Sequence, residues 1–203
     1  MTTGHYFCSV KRKIHKEDII QSGYDLFYEK GYGITGISEI TEKIGIPKGS
    51  FYNHFKSKEE FGVAVLDSYL TNSHQYLSRA LLNDDRSPLN NLKKFFSDYI
   101  EMQENELHCT KGCLMGNMTM ELADVNANFQ EIAKDGFAST TAIFESCLTN
   151  AKSQGEIRED TDVKLLAQFI INSWQGATVR MKADKNSDAL RNFYEIIFTQ
   201  LIN

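Results

Sequence analysis

Only two prolines, Pro47 and Pro88, occur in 203 residues, so long helices are permitted almost anywhere. No stretch keeps a two-residue apolar alternation, which argues against strands. No GxSxG, GxxxxGK[ST] or HExxH occurs, and five scattered histidines give no obvious base paired with a nucleophile, so we expect no enzyme and no cofactor. The four cysteines form no CxxC pair and suit thiols better than a metal site or a disulfide framework. No signal peptide is visible, because MTTGHYFCSVKRK has no apolar core. The least polar long run, Leu165 to Val179, holds Gln168, Asn172, Ser173 and Gln175 and is too short to span a bilayer. A cytoplasmic chain without membrane contact is expected. Repeats and low-complexity tracts are also missing, while 41% hydrophobic residues suffice for a sizeable core.

Against these absences stands Ile34 to Glu60, ITGISEITEKIGIPKGSFYNHFKSKEE. Ile37, Ile40 and Ile44 share one helical face, with Thr35 as a possible cap and Gly45 as a left-handed stop. Pro47 suits the first turn of a second helix over Lys48 to Phe55, anchored by Phe51 and Phe55, with the polar side outward. Such a pair reads as a helix-turn-helix, whose second helix enters the major groove of DNA. Lys48 and Tyr52 are the choices for base edges. Ser50, Asn53, His54, Thr35 and Lys58 would hold phosphates, and Gly49 would allow close backbone approach. Net charge is −5, yet residues 1–60 carry nine Lys/Arg against eight Asp/Glu, so the acidic excess lies away from this reader. Gly31 to Gly36 spells GxGxxG, but a helical segment precedes it and a broken helix follows, so it is a turn and not a dinucleotide site.

The run GISEITEKIGIPKGSFYNHFKSKEE resembles the DNA-binding signature of the TetR family of bacterial transcription regulators. That resemblance implies an all-α homodimer with an N-terminal three-helix reader, a C-terminal effector and dimerisation domain, and double-stranded operator DNA as partner. It also supports the contact roles given to Lys48 and its neighbours. Gly36 and Thr41 depart from the residues common in the family. The expected division is a basic arm over 1–13, the reader over 14–57 and the effector domain over 58–203. Lys11, Arg12 and Lys13 of the arm could touch DNA backbone, although a solvated tail is the plainer reading.

Beyond the reader, Ser57 with Glu60 opens a long helix to about Leu82. Asn83 to Arg86 form a loop, and Ser87-Pro88 starts the next helix. Further helices are expected near Leu114–Leu122, Asn128–Ser153, Val163–Lys182 and Ser187–Ile202. Apolar faces on the last two, with Leu166, Phe169, Ile170, Phe193, Ile197 and Leu201, are the expected dimer interface, although some must serve the internal core. Met118, Phe144 and Trp174 are candidate cavity lining for a small-molecule effector, with plain core as the alternative.

GCLMGNMTMELAD resembles a TetR subgroup containing electrophile- and oxidant-responsive regulators of reductase genes, in which the Cys of the Gly-Cys-Leu step can be the reactive thiol. This assigns sensing to Cys113, with Cys109 nearby and Lys111 or Lys182 as cations able to favour a thiolate. A buried, inert cysteine is the competing possibility. The reading carried forward is a dimeric repressor released by an effector or by thiol modification. A helical interaction module without sequence-specific DNA binding is the alternative.

Overall fold

Capping groups decide where the helices begin. Residues 14–83 and 86–202 are described in this computed structural model; the arm 1–13, Asp84 and Asp85 of the loop, and Asn203 lie outside them. The described residues form helices and no strand. α1 (Lys16–Lys30) begins where Asp18 accepts the His15 backbone N–H at 2.8 Å and fixes the first turn. It stops at Gly31, whose φ of 93° favours glycine. α2 (Ile37–Lys43) ends through Gly45 in the left-handed region, as its sequence suggested. α3 (Lys48–Tyr52) is shorter than the expected helix to Phe55, although the Phe55 N–H still donates to the Phe51 carbonyl at 3.0 Å.

α4 (Lys58–Leu81) is capped by Ser57, whose hydroxyl accepts the Glu60 N–H at 3.1 Å. The return bond falls one residue upstream, from the Lys56 N–H to Glu60 at 2.9 Å. α5 (Pro88–Asn105) starts on Ser87-Pro88 as expected, followed by α6 (Leu114–Leu122) and α7 (Ala127–Ser153). α8 (Val163–Asp184) ends on a left-handed Lys185, and α9 (Asp188–Ile196) loosens into a π-helical turn over Ile197–Leu201.

Two cores result. One joins α1, α2, α3 and the first half of α4 to α6 and the start of α7. At its centre the Phe61 ring lies 5.7, 5.2 and 5.0 Å from those of Phe27, Phe51 and Phe55. Gly23 makes room, since a Cβ there would fall 2.2 Å from the Phe61 ring. The other core joins the end of α4 to α5, α7, α8 and α9 around Phe96, Trp174 and Phe193. It claims three residues expected at a dimer interface: Ile170, Phe193 and Ile197 are buried within the chain, in the core that joins α5, α7, α8 and α9. That expectation is corrected. Leu166 is half-buried, whereas Phe169 (48% exposed) and Leu201 (38%) do face outward. Leu165, Val179 and Ile196 join them on the outer face.

Candidate DNA-reading face and effector cavity

The reader pairs an apolar underside with a polar top. Phe51 and Phe55 are buried, which turns Lys48, Gly49, Tyr52, Asn53 and His54 to solvent and leaves Ser50 half-buried. Ion pairs from Lys30 to Glu39 and from Lys43 to Asp25 brace α2 against α1. Two expected phosphate contacts need correction. Thr35 is fully buried and its hydroxyl donates to the Gly31 carbonyl at 2.8 Å, so it neither caps α2 nor reaches a phosphate here. Lys58 turns inward: its Nζ donates to the carbonyls of Tyr32 (2.6 Å) and Gly33 (3.2 Å) and lies 4.3 Å from the Tyr32 ring centre. Burial lowers its pKa, opposed by Glu121 and Glu59. The two family departures are harmless locally. A Cβ at Gly36 would meet nothing within 4 Å, and buried Thr41 donates to the Ser38 carbonyl at 2.9 Å.

A cavity of about 640 Å³ lies between α1, α4, α5, α6, α7 and α8. Of the expected effector residues, Cys113, Phe144 and Trp174 line it. Met118 does not; it is packed into the core beside the reader. Cys109 is buried in the second core, and Lys182 sits behind the wall with Nζ 3.5 Å from Asn117 Oδ1. Lys111 places its ammonium 5.3 Å from the Tyr28 ring centre. Both cations expected to favour a Cys113 thiolate are therefore engaged elsewhere. Cys113 itself caps α6, its Sγ accepting the Gly116 N–H at 3.5 Å, and lies 3.6 Å from the Tyr69 hydroxyl.

Sequence reasoning missed the tyrosines. Tyr24 and Tyr28 of α1 stack at 5.5 Å, Tyr24 and Tyr69 at 6.1 Å, and Tyr99 meets Trp174 edge-on at 5.0 Å. They come from three helices, α1, α4 and α5, so no single local period announced them; the i, i+4 spacing of Tyr24 and Tyr28 was the one available hint. Burial raises the pKa of all four, Tyr99 to about 12, so each phenol stays protonated and keeps a donor. No Lys, Arg or His is among the described residues lining the cavity.

Two family models match the chain. Residues 19–65 match "Bacterial regulatory proteins, tetR family", and residues 88–197 match "Tetracyclin repressor-like, C-terminal domain". The chain belongs to the TetR family. It is 33% identical over 187 residues to the HTH-type transcriptional repressor DhaR of Mycobacterium sp. (strain GP1), covering 92% of each chain. The HTH-type transcriptional repressor NemR of Escherichia coli K12 is 25% identical over 177 residues, 87% of this chain and 88% of NemR. A regulatory protein TetR from Rhodobacter sphaeroides superposes with a TM-score of 0.81 at 29% identity, over 87% of this chain and 93% of that one. As a TetR-family protein the chain is a DNA-binding transcription regulator and not an enzyme. No helix among its described residues is long and apolar enough to cross a membrane.

Proposed function

We propose that this chain is a cytoplasmic, homodimeric TetR-family repressor. Two copies of the α3 face read successive major grooves of a near-palindromic operator, one helical turn apart. A small molecule in the tyrosine-lined cavity, or modification of Cys113 in its wall, releases the DNA. The carrying observation is the polar α3 top, with Lys48 and Tyr52 outward over buried Phe51 and Phe55. Repressor polarity is supported by DhaR and NemR, both named repressors. Dimerisation through α8 and α9 is supported by the outward row Leu165, Phe169 and Val179, which flanks Gly176.

Cavity chemistry narrows the effector. An anion would face the buried phenols and the side chains of Asp98 and Glu106, with no lining cation to offset its desolvation. The favoured effector is uncharged, apolar and flat enough to stack on tyrosine rings, with phenol donors to orient a polar group. To test the reading, a duplex is selected from a randomised DNA pool by the wild-type protein, and its affinity is measured by anisotropy. Salt-dependent binding by a dimer supports the reading; failure to enrich any sequence contradicts it.

A further inference from the structure

One end of α6 faces the cavity, and the other grips the reader. Cys113 caps its start; eight residues later, about 12 Å along the axis, Glu121 reaches the turn between α1 and α2. Its Oε1 accepts the Tyr32 N–H at 3.2 Å, and its Oε2 accepts the Gly33 N–H at 2.6 Å. Lys58, at the start of α4, holds the carbonyls of the same two residues. Opposite charges from two helices thus hold the backbone N–H and carbonyl of two successive residues, Tyr32 and Gly33. A Cβ at Gly33 would stand 3.1 Å from Glu121 Oε2, so an alanine there would push the carboxylate back by a few tenths of an ångström.

We propose that Glu121 is a positioning residue for operator binding, fixing the reader's setting to that of α6. Apolar surfaces slide across one another with little directional preference. A carboxylate accepting two backbone N–H groups does not, because such charge-assisted bonds weaken with angle as well as distance. α6 has only nine residues and is held by buried Leu114, Met118 and Leu122, so a displacement at its cavity end carries to Glu121. The Tyr32 ring, wedged over Gly62 of α4 and 5.1 Å from the Phe27 ring of α1, then passes the change to both of those helices. The clamp stands on these contacts alone; only its response to the cavity rests on the effector reading above.

The test uses full-length Glu121→Ala, Glu121→Gln and Gly33→Ala. The last attacks the clamp from the reader side and leaves the carboxylate intact. Amide hydrogen exchange at Tyr32 and Gly33 should quicken by roughly 10–100-fold in Glu121→Ala, and by less in Gly33→Ala, which only displaces the carboxylate, and in Glu121→Gln, which keeps one acceptor. Affinity for the selected duplex is then measured before and after N-ethylmaleimide labelling of Cys113. A wild-type response on the order of 5–150-fold should fall to about 1–2-fold in Glu121→Ala, with labelling of Cys113 unchanged. Unchanged exchange at both amides, or an undiminished response in Glu121→Ala, overturns the proposal. If labelling leaves wild-type affinity unaltered, thiol sensing fails instead, and exchange together with the duplex affinity of Glu121→Ala decides the clamp: unaltered affinity there rejects it.

Discussion

The α2–α3 hairpin and the tyrosine-lined cavity occupy neighbouring parts of one fold and are built in opposite ways. The hairpin is short and rests on an interlocked group of phenylalanines with Phe61 at its centre. The cavity is open space of about 640 Å³ between longer helices, its walls stacked on one another and not filled across. Close-packed cores transmit displacement, whereas voids accept new contents. Under the function proposed above, a ligand would act where packing is thin and be felt where packing is dense, and α1 and α6 belong to both regions.

That contrast breaks most visibly at Phe61. Phe61→Ala should cost about 3–5 kcal/mol in chemical denaturation, whereas Met102→Ala on the cavity wall should cost about 2 kcal/mol or less, having neighbours on one side only. Equal losses would erase the distinction between packed reader and open cavity. Next in size, Phe169→Glu at the outer α8 face should weaken self-association by at least about 2 kcal/mol if that face is the centre of the interface, read by sedimentation across protein concentration. Thiol chemistry sharpens the comparison further. Burial pushes the Cys147 thiol up to about 12, and burial with Glu104 raises that of Cys109. At pH 8 both should stay in the unreactive thiol form while the chain is folded, so mass spectrometry after brief N-ethylmaleimide treatment should find Cys113 labelled ahead of either. The smallest effect concerns the α5–α9 contact, where Glu104 meets Ser187 and Arg191. These bonds hold the Glu104 carboxyl below its ordinary range. Its stabilisation is complete above that range and disappears as pH falls through the lowered value. Exposure limits the Arg191→Ala loss to about 0.2–1 kcal/mol near neutral pH, vanishing in acid.

The reader was legible because its determinants are contiguous. Phe51 and Phe55 at i, i+4, Pro47 before them and Gly45 before that specify both the hairpin and the face left outward. Where the reading failed, a residue had a polar partner distant in sequence or a competing core to join. Lys58 was assigned to phosphate, yet the turn 26 residues earlier offers it two carbonyls. Periodicity placed Ile170, Phe193 and Ile197 on apolar faces but could not say which neighbour each face would meet. The outer row Leu165, Phe169, Asn172, Gly176 and Val179 alternates steps of four and three, a signal present in the sequence but masked by the stronger buried stripe beside it. Long-range contacts such as Glu121 with Tyr32 leave no local pattern at all.

Lys48→Glu offers the most direct measurement. Anisotropy titration of the selected duplex over a range of salt concentrations should show the variant losing roughly 1–3 kcal/mol or more of binding free energy, with unchanged thermal stability and oligomeric state. Wild-type affinity in Lys48→Glu would mean that α3 does not meet DNA, and the repressor function proposed for this chain would be wrong.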